Sequence, residues 1–126
     1  MASQLKVDTL TGVTTAGSIA VTGEGNSTTT NLQQGLAKAW FNGSTAPAVV
    51  NSFNISSVTD NDTGQFFFNY TNSMSDGNTG AAAQPTSVDH ITITLGGLTA
   101  MMRCYCFDGS AYVDTSLTGT VCGDLA

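Results

Sequence analysis

Apolar and polar positions alternate through much of the stretch from Ser52 to Tyr70. Phe53 and Ile55 stand between Ser52, Asn54 and Ser56, and beyond the turn-forming run Asp60 to Gly64, Phe66, Phe68 and Tyr70 fall on one side of a second alternating segment. A period of two is the signature of a strand, so this region predicts an antiparallel hairpin rich in aromatics. Upstream, Leu36 to Phe41 leads into Asn42-Gly43, a strong turn dipeptide, and then into Ala48 to Ile55, which predicts another hairpin.

Downstream, Asp89 to Leu95 alternates cleanly, with His90, Thr92 and Thr94 on one face and Ile91, Ile93 and Leu95 on the other, before Gly96-Gly97. That is the pattern of a half-buried strand. Ala100 to Phe107 is closed by Asp108-Gly109 and answered by Ser110 to Asp114, and Leu117 to Cys122 supplies a last strand. Thr71 to Ser87 is rich in Asn, Ser, Gly and Ala, contains Pro85, and reads as a long loop. The one helical competitor, Leu32 to Trp40, is weakened by Gly35.

About eight to ten short strands with regular turn signals predict an all-β fold, an antiparallel β-sandwich of jelly-roll-like kind. It would occupy residues 36–126. Residues 1–35 hold two short apolar patches, Leu5 to Leu10 and Ile19 to Val21, set among Gly, Ser and Thr, and read as an extended N-terminal arm.

Charge then narrows the partners. Charged residues are 10% of the chain, against roughly 25% in an ordinary soluble domain, while Ser, Thr and Asn make up about a third. The surface is therefore neutral and hydroxyl-rich. Three basic residues against nine acidic ones give a net charge of -6, which cannot build the cationic footprint that nucleic acid or anionic lipid requires. No nucleic acid and no membrane are expected as partners. The opening residues carry no apolar run of signal-peptide length, which predicts a chain made and assembled in the cytoplasm.

Catalytic chemistry is sparse. His90 is the single histidine, and no nucleophile-elbow motif accompanies it. Cys104, Cys106 and Cys122 lack the C-x-x-C spacing of a zinc site and read as buried, reduced thiols; a bridge between Cys104 and Cys106 is geometrically poor. Asp60-Asn61-Asp62-Thr63-Gly64 looks like the start of a calcium loop, but Thr71 stands where the bidentate carboxylate belongs, so a plain Asx-type turn is expected. No enzymatic activity, cofactor or metal is anticipated. Consecutive Phe66-Phe67-Phe68 must point to both faces of a strand, so one face needs a further cover, and a homo-oligomer with closed symmetry provides it.

Several blocks also carry a family resemblance: Leu5-Lys6-Val7-Asp8-Thr9-Leu10, Gly35 to Gly43 around Ala39-Trp40-Phe41, and Ser52 to Asn61 followed by Thr63-Gly64. Together they resemble the small fibre and decoration proteins of tailed bacteriophages, particularly those of aquatic hosts. The paired cysteines of Arg103-Cys104-Tyr105-Cys106 depart from that pattern, and the chain is short for a tail fibre.

The resemblance implies a non-enzymatic virion protein, a homotrimeric capsid decoration (cement) protein, with a short tail fibre or receptor-binding tip as the alternative. It implies attachment to the major capsid protein or a tail protein through the arm, with Leu5, Val7 and Leu10 as apolar anchors in a strand-addition contact. Trp40, Phe66, Phe67 and Phe68 would build the core and the subunit interface. The loop from Thr71 to Ser87 would face outward, where it can meet host surface glycans. A carbohydrate-binding β-sandwich module is a further alternative from another class; a pilin-like subunit is disfavoured by the missing export signal.

Overall fold

A computed structural model describes residues 4–13, 19–22, 29–32, 36–44, 48–96 and 98–125. The chain divides into two compact units, Met1–Gly35 and Leu36–Ala126. In the first, β1 (Ala20–Thr22) and β2 (Thr29–Asn31) pair antiparallel, with Ala20 opposite Asn31 and Thr22 opposite Thr29. The Leu32 amide donates to the Ile19 carbonyl at 2.8 Å and extends the ladder. Within the stretch read as an extended arm, Val21 and its Thr neighbours favour this short pairing. The patch Leu5 to Leu10 forms neither strand nor helix. Gly35, which weakens the helical reading of Leu32 to Trp40, lies outside the described residues; Ala37 to Trp40 is strand.

The second unit is an antiparallel β-sandwich. Its strands are β3 (Ala37–Gly43), β4 (Val49–Phe53), β5 (Ile55–Asp62), β6 (Gln65–Tyr70), β7 (Gly80–Pro85), β8 (Ile91–Leu95), β9 (Met101–Phe107) and β10 (Leu117–Cys122). They form two four-stranded sheets, ordered β4-β3-β10-β7 and β5-β6-β9-β8. Each sheet keeps sequence-local hairpins together, β3-β4 in one and β5-β6 and β8-β9 in the other.

The core lies between the sheets and follows the alternation. Phe66, Phe68 and Tyr70 of β6, Met102, Cys104 and Cys106 of β9, Ala39 and Phe41 of β3, and Leu117 and Val121 of β10 are all buried. Phe41 stacks on Phe68, ring centroids 3.6 Å apart, joining the two sheets. Burying these side chains stabilises the fold by about 1.5–3 kcal/mol for each large apolar group.

Four expectations change. The hairpin around residue 42 exists, but Asn42 and Gly43 are inside β3, opposite Asn51 and Val49; the chain reverses later, where the Ser44 amide bonds to the Ala48 carbonyl at 3.0 Å. The run Ser52 to Ser56 is not one strand. Asn54 takes φ 57°, a left-handed conformation that Asn tolerates, and the chain passes there from the first sheet to the second. Its side chain holds the corner: Nδ2 donates to the carbonyls of Lys38 and Asn72 at 3.0 Å each, and Oδ1 accepts from the Asn72 amide at 2.7 Å.

Thr71 to Ser87 is not a continuous loop, because Gly80 to Pro85 pairs along the whole of β10. Pro85 is tolerated at the end of an edge strand. The remainder is also tied down, with Met74 buried and its amide bonded to the Thr99 carbonyl at 2.8 Å. Finally, Ser110 to Asp114 returns from Asp108-Gly109 as an isolated bridge, Phe107 opposite Tyr112, rather than as a strand. Asp114 is drawn to the β5-β6 turn instead, where its Oδ1 accepts from the Gly64 amide at 2.6 Å.

Candidate interaction face

The outer face of β5-β6-β9-β8 is fixed by register. Across it run Ile91 and Phe107; then Ile93, Tyr105 and Gln65; then Leu95, Arg103, Phe67 and Thr59; then Met101, Asn69 and Ser57. Ile91, Ile93 and Leu95 are 58%, 55% and 44% exposed. Of the two faces read from the alternation of β8, the apolar one is in solvent, and Thr92 and Thr94 are turned toward the core.

A hydroxyl is needed at those inward positions. β7 is an edge strand, and the Ala83 amide on its unpaired side donates to Thr94 Oγ1 at 3.2 Å. Thr92 Oγ1 lies 3.9 Å from Cys106 Sγ. Isoleucine or leucine at 94 would leave that amide unsatisfied, a cost of about 1–3 kcal/mol.

The β8-β9 half of this face is apolar and aromatic. Tyr112 packs beside it, 6.5 Å from the Tyr105 ring and edge-on to Phe107 at 6.0 Å. Arg103 is the one cation in these rows, its guanidinium 4.9 Å from the centre of the Phe67 ring. The β5-β6 half is polar: Asn69 Nδ2 donates to Ser57 Oγ and Thr59 Oγ1 at 3.0 Å each. The face therefore combines a large apolar patch with a hydrogen-bonding border, the anatomy of a protein contact surface.

The residues singled out from sequence are distributed over several places. Phe66 and Phe68 lie in the core, and Phe67 lies on the outer face just described. Trp40, 40% exposed, belongs to the outer face of the other sheet and does not join Phe67. Leu5, Val7 and Leu10 are exposed. The residues missed are Ile91, Ile93, Leu95 and Tyr105. Their alternation was legible, but period two marks two faces without saying which one is covered.

Burial pushes the Cys104 thiol up to about 12, with the neighbouring Cys106 adding to the effect, and burial likewise raises Cys106. His90 Nδ1 is buried without a hydrogen-bond partner. Asp62 Oδ1 accepts from the Thr63 amide at 2.8 Å within the β5-β6 turn. Among the described residues no group of three or more His, Cys, Asp or Glu side chains is placed to hold a metal ion. Compared with protein-family models, curated proteins and solved structures, the chain matches none.

Proposed function

We propose that the chain is a non-enzymatic structural protein of a virion, a homotrimeric capsid decoration protein that self-associates through the outer face of β5-β6-β9-β8. The observation that carries self-association is the outward row Ile91, Ile93 and Leu95 beside Tyr105, Phe107 and Phe67. Such a patch, bordered by polar groups, is stabilised when a second copy covers it. The virion setting and the number three rest on the resemblance to phage decoration proteins.

In this reading Leu5, Val7 and Leu10, displayed to solvent in their own unit, are the apolar anchors of attachment. Binding to assembled capsid subunits and not to separated ones stabilises the shell by linkage. Native mass spectrometry under reducing conditions tests the oligomer: three copies of the 12.9 kDa chain support the reading, and a monomer overturns it. Sedimentation with capsids tests the setting. The full chain should co-sediment and a chain lacking Met1 to Leu10 should not, whereas binding to isolated tails alone would transfer the assignment to a tail fibre.

A further inference from the structure

The outer face of β4-β3-β10-β7 has a different chemistry. Register lays it out as two rows across four strands: Phe53, Trp40, Thr120 and Ala82 in one, and Asn51, Asn42, Thr118 and Gln84 in the next. Trp40 and Phe53 hold facing positions on β3 and β4 and are 40% and 49% exposed. Two large rings left half in water are not explained by the core, which Phe41 fills from the opposite side of β3.

The row beside them is amide, amide, hydroxyl, amide, and neither row contains a charge. Lys38, two residues before Trp40, is buried rather than displayed. On the far side of Thr118 and Thr120 the surface sinks into a depression of about 300 Å³, lined by Ala82, Gln84, Thr118, Gly119, Thr120 and Phe41. That volume is at the small end of ligand clefts, and its few polar groups converge on an otherwise apolar lining.

The combination selects a ligand class. An anionic ligand finds no cation on this face and meets a chain of net charge -6. A purely apolar ligand would leave Asn51, Asn42, Thr118 and Gln84 covered and unpaired, which is costly. A neutral sugar satisfies both halves, since its ring presents a C–H face to an aromatic side chain while its hydroxyls donate to and accept from amides.

We propose that this face is a binding site for a neutral glycan. One pyranose lies on Trp40 with Phe53 extending the platform, Asn42, Thr118 and Gln84 bond its hydroxyls, and the next unit enters the depression between β10 and β7. The site is independent of the virion assignment and lies on the opposite side of the sandwich from the self-association face. It also differs from the glycan contact expected of residues 71–87, of which Ala82 and Gln84 alone belong to these rows.

Trp40 is the one tryptophan of the chain, so its emission reports directly on the site. The full chain is titrated with neutral hexasaccharides of glucose, mannose, xylose, galactose and N-acetylglucosamine up to about 10 mM. A saturable change in emission with at least one of them is expected. The affinity should fall at least tenfold in Asn42→Ala and Gln84→Ala, and calorimetry should show it lost in Trp40→Ala. Val88→Ser, at an exposed position outside both faces, should bind as the parent does.

Asn42 and Gln84 are exposed, so their variants test the site even where Trp40→Ala fails to fold. The proposal is overturned by no response to any of the sugars, by binding confined to sulfated or sialylated oligosaccharides, or by sugar affinity unchanged in both Asn42→Ala and Gln84→Ala. A Trp40 emission that varies with protein concentration and ignores sugar would also overturn it, assigning the face to contact between copies.

Discussion

Gly119 of β10 sits opposite Phe41 of β3, and a side-chain carbon at residue 119 would lie 2.6 Å from the Phe41 ring. The same ring is stacked on Phe68 of the other sheet, so it cannot retreat without opening the contact that joins the sheets. Gly119→Ala should therefore destabilise the fold by about 1–3 kcal/mol, the usual cost of overpacking. Phe68→Ala should cost about 3–5 kcal/mol. Because Phe68→Ala gives the Phe41 ring room to move, the double variant should lose less than the sum, a coupling that urea denaturation of the four proteins measures.

How far the fold can be read from sequence depends on contrast between neighbouring side chains. Gln65 to Tyr70 and Met101 to Phe107 are plain because buried Phe66, Phe68 and Tyr70, and buried Met102, Cys104 and Cys106, alternate there with half-exposed neighbours, and Leu117 to Cys122 matches β10 at both ends. Gly80 to Pro85 escapes notice because Ala81, Ala82 and Ala83 offer no such contrast, although Ala81 and Ala83 pack against the core. The corner at Asn54 rests on one backbone angle and three hydrogen bonds to distant residues, none of which appears in a local pattern. The interaction face stayed hidden for the related reason that Thr94 is inward to satisfy β7, a long-range requirement.

A turn carboxylate makes stability depend on acid. Asp108 Oδ1 accepts from the Ala111 and Ser110 amides and from the Ser110 hydroxyl, each at 2.8 Å. These bonds, the Ala111 amide first, hold its carboxyl down at about 2, below the ordinary 3.8. A carboxyl lowered in the folded state adds stability that is fully present above 3.8 and is lost as the pH falls through 2. Asp108→Asn, which keeps an acceptor but cannot titrate, should show a shallower decline in urea midpoint between pH about 5 and about 2. An unchanged slope would mean that the turn does not carry the acid dependence.

The thiols should be sorted by burial. Cys104 and Cys106 are both inaccessible, and the folded protein favours their protonated forms. Cys122 is half-buried at the end of β10. An aromatic disulfide reagent at mildly alkaline pH should therefore titrate one thiol in the native chain and three after denaturation, with Cys122→Ser leaving the native protein unreactive. Since the Cys104 value is raised from 9.0 to about 12, its contribution to stability is present below 9.0 and lost as the pH rises toward 12. Rapid reaction of all three thiols in the native protein would contradict a packed interior at β9.

Self-association through the outer face of β5-β6-β9-β8 makes a thermodynamic demand that a solution mass alone does not test. If copies cover Ile91, Ile93 and Leu95, folding and association are linked, and the thermal midpoint must rise with protein concentration. Ile93 stands between Ile91 and Leu95 on the exposed side of β8, opposite Tyr105. Ile93→Lys places an ammonium in the middle of that patch but touches nothing in the core, so the isolated fold should change by about 0.5 kcal/mol or less. The variant should be a folded monomer whose midpoint no longer depends on concentration, while Val50→Lys, at an exposed position of the other sheet, should behave as the parent. A parent protein whose midpoint is independent of concentration over a hundredfold range, roughly the range in which a linked equilibrium must show itself, would overturn self-association.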